Sequence, residues 1–340
     1  MKQVFLNRNE APYPPPKKVL DVLQRFDVDH VGRYLEGYYH SVLVSKLSKK
    51  FKIPEQQIVI SYGEEDFFRT VFDTLNPKID SVLLSDLHYS YFDEYLNPKK
   101  ISLHTFKTIE GDGAFSFDIN DCIKQYKKVR PSVLIIVSPN NPTGDAISLV
   151  DLKKILAAVK KETLVVIDEA YYGFDEHYDE KGFLLLLKRY PNVMLLRTFS
   201  KYYGMAGLRI GFALCGKSVD PLLHYQTRYL GFSRILEEVA VAALESDDYY
   251  RHNAKKVIAD REFFIRAVEK LDGVKAFRSK TNFVLLRVDR TTIGPLGKLL
   301  EKQRVIIVKL FDGNFVRVTV GWTKETRNFL KLLKIVTHSK

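Results

Sequence analysis

Residues 163–174 read TLVVIDEAYYGF. Four consecutive apolar residues, Leu164 to Ile167, stop abruptly at two acids, an alanine and two tyrosines. A run apolar along its whole length suits a strand buried on both faces, as in a parallel sheet covered by helices. Asp168 and Tyr171 would then stand at the carboxyl end of that strand, where open α/β sheets bind their ligands.

The same pattern recurs on both sides of this stretch. Apolar runs at 58–61 (IVIS), 81–86 (SVLLSD), 132–138 (SVLIIVS), 192–200 (NVMLLRTFS) and 209–215 (RIGFALC) alternate with amphipathic segments at 66–75, 148–161 and 182–190. That alternation predicts an α/β fold with a mostly parallel sheet flanked by helices. Prolines at 12, 14, 15 and 16 forbid a helix there and suggest an extended arm. Residues 218–271 read as nearly continuous helix with a joint near Ser246-Asp247-Asp248, and GDG at 111–113 reads as a turn. Strand candidates at 282–288, 305–308 and 315–321 then alternate with helices at 292–303 and 323–336, which predicts a smaller α+β domain. The expected division is an N-terminal arm (1–29), a large domain (30–246) and a small C-terminal domain (247–340).

Composition excludes several classes. The chain has 340 residues, with 46% hydrophobic and 12% aromatic content, values of a globular protein too long for one core. No apolar run approaches the roughly 18 residues of a membrane helix, and the first residues lack a signal-peptide core. Cys122 and Cys215 have no metal-type spacing, which suits a reducing, cytoplasmic setting. The surplus of 53 Lys+Arg over 41 Asp+Glu gives a net charge of +12. These cations interleave with acids at helical spacing, as on solvated helix faces, so small anionic molecules are better partners than nucleic acid.

The residues after the apolar runs carry the chemistry. Asn141 follows the run at 132–138, Asp168 and Tyr171 follow that at 163–167, and Thr198, Ser200 and Lys201 follow that at 193–196; Arg209 ends the next turn. A lysine amine forms a Schiff base with an aldehyde. A carboxylate at a strand end can keep a pyridine nitrogen protonated, making the ring an electron sink. A phenol and an amide can hold a ring oxygen, while an arginine, hydroxyls and backbone N–H groups can hold a phosphate. The cofactor these groups describe together is pyridoxal 5′-phosphate.

The stretches SPNNPTG (138–144), DEAYYGF (168–174), RTFSKYYGMAGLRIG (197–211) and VRVTVG (316–321) resemble the fold-type I, pyridoxal-phosphate-dependent aminotransferases. LNRNEAP (6–12) and GRYLEG (32–37) are similar to segments of the histidinol-phosphate aminotransferases within them. The resemblance implies Lys201 as the Schiff-base lysine, Asp168 as the ring-nitrogen partner, and Asn141 and Tyr171 as ligands of the ring oxygen. It implies Tyr89 as the residue stacked on the ring. It further implies Thr198, Ser200 and Arg209 as the phosphate cup, with the turn Gly63-Glu64-Glu65 contributing its backbone N–H groups. Tyr34 resembles a tyrosine that reaches the cofactor phosphate of a neighbouring subunit, which implies a homodimer. Arg317, with Asn141, resembles the grip on the substrate's α-carboxylate. The activity implied is amino transfer between an amino acid or amino alcohol phosphate and a 2-oxo acid. A broad aromatic or acidic amino acid aminotransferase and a threonine-phosphate decarboxylase-like enzyme are the alternatives.

The chain departs from the family pattern in four places. Five residues precede LNRNEAP, where relatives have a longer lead; the stacking segment reads Asp86-Leu87-His88-Tyr89. The phosphate turn carries two acids, Glu64 and Glu65, where relatives have a small residue and an Asp or Ser; both side chains are expected to turn away from a phosphate. In LGFSRIL (230–236), Arg234 is expected to add a cation near the distal end of the substrate.

Overall fold

The computed structural model describes residues 4–33, 41–74, 79–219, 232–303, 306–311 and 314–337. Its strands are β1 (Val4–Leu6), β2 (Ile58–Ser61), β3 (Ser81–Ser85), β4 (Ser102–Phe106), β5 (Thr108–Glu110), β6 (Phe115–Phe117) and β7 (Val133–Val137). They continue with β8 (Leu164–Asp168), β9 (Val193–Thr198), β10 (Gly211–Cys215), β11 (Val274–Ala276), β12 (Phe283–Val288), β13 (Ile306–Phe311) and β14 (Phe315–Thr319).

Seven strands form the main sheet in the order β2-β10-β9-β8-β7-β3-β4. The pairs β9-β8, β8-β7, β7-β3 and β3-β4 are parallel; β10 runs antiparallel to both β9 and β2. β2 therefore points the same way as β9, and six of the seven carboxyl ends open on one edge. The apolar runs owe their continuity to burial on both faces. Leu134, Ile136, Val165, Ile167 and Leu195 pack into one core, and their neighbours Val133, Ile135, Val166, Met194 and Leu196 into the other. Each such side chain contributes about 1.5–3 kcal/mol by leaving water, so a polar residue cannot replace any of them cheaply.

Helices Leu149–Ala158 and Glu180–Arg189 fall on the amphipathic segments, and each begins at a side-chain cap: Ser148 accepts from the Asp151 N–H, and Asp179 from the Gly182 N–H. Such caps satisfy first-turn donors that the helix itself leaves open. Helix Glu64–Thr74 follows β2 directly. Helices Arg234–Leu244 and Asp247–Val268 meet at the expected joint; residues 220–231 of the expected helical run lie outside the described residues.

A second sheet has the order β1-β13-β14-β12-β11 and packs on helices Asp247–Val268, Arg290–Gln303 and Thr323–Thr337. The N-terminal segment is more than an extended arm. β1 pairs parallel with β13, Val4 opposite Ile306, so the first residues are built into the C-terminal sheet. Beyond the prolines, Lys17–Arg25 is a helix packed on Arg234–Leu244. GDG at 111–113 is the turn of a hairpin, β5 with β6, whose strands the sequence pattern does not announce. Among the described residues no helix is long and apolar enough to cross a membrane, and no His/Cys/Asp/Glu cluster could hold a metal.

Candidate active site

The carboxyl edge of the main sheet and the face of β14 enclose a cavity of about 860 Å³. Its lining includes Glu64 and Glu65 after β2, Tyr89 after β3, Asn141 after β7, Asp168 and Tyr171 after β8, Thr198, Ser200, Lys201 and Arg209 after β9, and Arg317 on β14. Eleven of the fourteen residues singled out from the sequence thus share one cavity. Gly63 stands immediately behind it, and Tyr34 lies outside the described residues.

Lys201 Nζ donates to the Arg8 carbonyl at 2.9 Å and lies 5.8 Å from the centre of the Tyr171 ring. Burial lowers its pKa to about 8, with Glu64 acting in the opposite direction. A share of this amine is neutral near neutral pH, which a Schiff-base lysine needs. Asp168 is buried, and burial raises its carboxyl to about 6; the Ala170 N–H, donating to Oδ1 at 3.0 Å, and Lys201 both lower it.

Beneath these two residues lies a support that the sequence reading did not identify. Arg197, fully buried, donates to Glu169 Oε2 at 2.9 Å, to Glu180 Oε1 at 3.0 Å and to the Tyr178 hydroxyl at 2.7 Å. Glu169 follows Asp168 and Arg197 precedes Thr198, so one ion pair locks the ends of β8 and β9 together. The only signal in the sequence was a charged residue inside each apolar stretch.

Asn9 is also new. Its Nδ2 donates to the Tyr171 hydroxyl at 2.9 Å, its backbone N–H donates to Thr319 Oγ1 at 3.0 Å, and its carbonyl accepts from Asn282 Nδ2 at 3.0 Å. LNRNEAP thereby seals the cavity between the two sheets. Burial raises the Tyr171 phenol, so it stays protonated and available as a donor.

The anion cup is preshaped. Thr198 Oγ1 donates to Ser200 Oγ at 2.9 Å and accepts from the Ser200 N–H at 3.1 Å; Arg209 Nη1 lies 3.4 Å from Ser200 Oγ. The helix Glu64–Thr74 starts at the same place, and the N–H groups of a helix's first turn have no partners within the helix. Gly63 has φ +86, and a Cβ there would lie 2.7 Å from Arg209 Nη2. Lysine, buried acid and this cradle fit the aldehyde, ring nitrogen and phosphate of pyridoxal 5′-phosphate.

Two expectations need correction. Neither acid of the phosphate turn points away: both Glu64 and Glu65 line the cavity. Glu65 Oε2 stands 3.9 Å from Arg209 Nη2, and its Oε1 accepts from the Tyr89 hydroxyl at 3.2 Å. The helix start fixes their Cα atoms beside the cup, and the nearby Arg209 and Lys201 charges favour an inward carboxylate. Arg234, in turn, is exposed at the start of its helix and donates to Glu238 Oε1 at 3.0 Å, one turn along; it is not among the described residues lining the cavity. Tyr89 does line it, with a ring centre 6.0 Å from that of Tyr91, and burial with the nearby Glu65 pushes its phenol up to about 12.

Comparison with known proteins identifies the family. Residues 1–332 match the family "Aminotransferase class I and II". The chain is similar to the histidinol-phosphate aminotransferase of Clostridium botulinum (strain Okra / Type B1), 30% identical over 343 residues, covering 98% of this chain and 92% of the relative. It is also similar to histidinol-phosphate aminotransferase 2 of Archaeoglobus fulgidus, 28% identical over 334 residues, covering 97% and 92%. Its fold is that of the histidinol-phosphate aminotransferase from Sinorhizobium meliloti solved in complex with pyridoxal-5′-phosphate, with a TM-score of 0.86, 22% identity, and coverage of 99% and 91%.

Proposed function

The chain belongs to the class I and II aminotransferase family, and from that premise we propose that it exchanges an amino group between an amino alcohol phosphate of the histidinol phosphate kind and a 2-oxo acid. It is a pyridoxal-phosphate-dependent aminotransferase. What supports the finer reading is the likeness over nearly the whole chain to relatives named histidinol-phosphate aminotransferase. The meeting of a lysine of lowered pKa with a buried acid from the adjacent strand end, in one cavity, supports the amino-transfer chemistry.

Pyridoxal 5′-phosphate, when bound, supplies an aldehyde that condenses with amines and a pyridine ring that takes up the electron pair left at the substrate α-carbon. Asp168 would hold the ring nitrogen, Asn141 and Tyr171 the ring oxygen, and Tyr89 the ring face. Thr198, Ser200, Arg209 and the N–H groups of Glu64 and Glu65 would hold the phosphate. Lys201 Nζ takes a proton from the substrate α-carbon and returns it on the product side; its pKa near neutrality suits both directions. Arg317 would bind an α-carboxylate through the fork of its guanidinium.

The same proposal divides the chain at residue 247, between the two consecutive helices, and makes Tyr34 a contact across a homodimer. Sedimentation of the purified protein at a single-chain mass would contradict the dimer. For the substrate, the protein is mixed with histidinol phosphate, aromatic amino acids, glutamate and phosphothreonine in turn, and the cofactor spectrum is followed. Histidinol phosphate should react fastest and yield an oxo product. Release of carbon dioxide from phosphothreonine would favour the decarboxylase alternative, and a preference for an aromatic donor would favour the broad-specificity one.

A further inference from the structure

Glu64 is a carboxylate built into an anion site. It occupies the first position of the helix whose free N–H groups face the cup, and it lines the cavity. Its Oε1 is buried without a hydrogen-bond partner among the described residues. The groups around it are Asp168 from β8, Tyr171 from the segment after it, Lys201 and Arg209 from the segment after β9, and Glu65 on its own helix. Two of those are cations that attract an ionised Glu64, and two are acids that oppose it. Arg209 already has Glu65 Oε2 at 3.9 Å. A phosphate entering the cup brings a charge of about −1.5 to −2 against the same carboxyls.

We propose that Glu64 makes cofactor binding proton-coupled: ionised, it competes with the cofactor phosphate for Arg209, and it takes up one proton from solvent when the phosphate enters. The neutral acid then becomes a donor to a phosphate oxygen instead of a repelling charge. Burial raises the Glu64 pKa well above its ordinary value, and Asp168 raises it further, while Lys201 and Arg209 pull it down. The cup's cations oppose that rise, and a phosphate dianion in the cup adds to it, so the neutral form gains further when the phosphate enters. This rests on the reading of the cup as the cofactor's phosphate site.

The test measures the affinity of the purified full chain for pyridoxal 5′-phosphate by absorbance between pH 6 and 9, for the wild type, Glu64→Gln and Glu64→Ser. Pyridoxal, which lacks the phosphate, serves as the control ligand. Glu64→Gln keeps the volume and removes the charge, so steric effects on folding are small. Where Glu64 is ionised in the free cup, uptake of one proton raises the Kd about tenfold per pH unit relative to a variant without that group. Expected is a wild-type to Glu64→Gln ratio of Kd that grows with pH and exceeds about tenfold at pH 8–9, with no such ratio for pyridoxal. Titration calorimetry in buffers of different ionisation enthalpy should show about one proton fewer taken up by Glu64→Gln and Glu64→Ser. Equal affinities and equal proton uptake in wild type and both variants would overturn the proposal while leaving the cofactor site intact. Failure of every form to bind the phosphorylated cofactor would instead overturn the reading of the cup, and the proposal with it.

Discussion

Arg317 on β14 donates through Nη1 to Oδ1 of Asn141, 176 residues earlier on the loop after β7. Its Nη2 donates to the Asn7 carbonyl at 2.7 Å, and its guanidinium carbon lies 5.3 Å from the centre of the Phe283 ring. One side chain thus ties the small sheet, the N-terminal segment and the main sheet together at the cavity wall. Its Nε is buried and has no partner among the described residues, which leaves a donor for an incoming carboxylate.

Arg317→Lys should therefore lower kcat/KM for substrates that carry an α-carboxylate. Hydrogen bonds to charged groups contribute about 1.5–3 kcal/mol each, so loss of the fork predicts a drop of about tenfold to a hundredfold. Histidinol phosphate carries a phosphate ester on the carbon that replaces that carboxylate, an anion the same fork can hold. Unphosphorylated histidinol has a neutral alcohol there, and its half-reaction should suffer less. Single-turnover rates for glutamate and unphosphorylated histidinol decide the matter. An equal loss for both would show that Arg317 acts by holding the sheets together and not by gripping a carboxylate.

The pair Lys201 and Asp168 yields a second contrast. Lys201→Ala should abolish turnover and remove the absorbance band of the lysine-bound cofactor. Asp168→Asn leaves the phosphate cup and the lysine in place, so cofactor should remain bound while kcat falls. Fixed charges aimed at developing charge are worth about 10²–10³ in rate, and a loss of that size is expected. Near-normal turnover in Asp168→Asn, or substantial turnover in Lys201→Ala, would remove the corresponding residue from its proposed role.

Much of this site was legible because its chemical residues stand at or a few positions beyond the end of an apolar run. The strands of the main sheet are buried on both faces, so their ends are sharp in the sequence, and Asp168, Thr198 and Asn141 mark three of them. What was not legible depends on contacts across long separations. Nothing local in VFL at 4–6 says that it pairs with residues 306–308, or that Asn9 will reach Tyr171. The hairpin of β5 and β6 lacks an apolar run because four of its six residues face outward or are half-buried. Glu64 was misjudged for a related reason: a carboxylate beside a phosphate site reads as repulsive, yet Lys201 and Arg209, brought in from β9's end, attract it toward the cavity.

Gly63 is held by geometry that no other residue matches. At φ +86 an L side chain is strained, and a Cβ would meet Arg209 Nη2 at 2.7 Å and Cζ at 3.0 Å. Gly63→Ala should cost about 1–2 kcal/mol from the left-handed backbone alone, and it should push the guanidinium out of the cup. Expected is a lower denaturation midpoint together with a Kd for pyridoxal 5′-phosphate raised by about tenfold or more, the loss of one charge-assisted hydrogen bond. Unchanged cofactor affinity in a destabilised Gly63→Ala would mean that Arg209 is not a phosphate ligand.

Asp145, just past the NPTG turn, offers a test of stability against pH that does not touch the cofactor. It is 7% exposed; Oδ1 accepts the Thr143 hydroxyl, while Oδ2 is buried without a partner among the described residues. Burial raises its pKa from 3.8 to about 6, the Thr143 bond opposing the shift. With the folded pKa above the unfolded one, the unfolded chain ionises first. Folding is favoured most below pH 4, loses stability as pH rises from about 4 to 6, and stays lower by a constant amount above that. Two units correspond to about 3 kcal/mol as an upper bound. Asp145→Asn, which cannot ionise, should raise the unfolding free energy at pH 7–8 by about 1–3 kcal/mol relative to its value against wild type at pH 4. Denaturant titrations of both proteins at the two pH values measure that difference directly. A wild-type to variant difference that does not change between pH 4 and pH 8 would show that Asp145 titrates normally and that its buried oxygen is solvated.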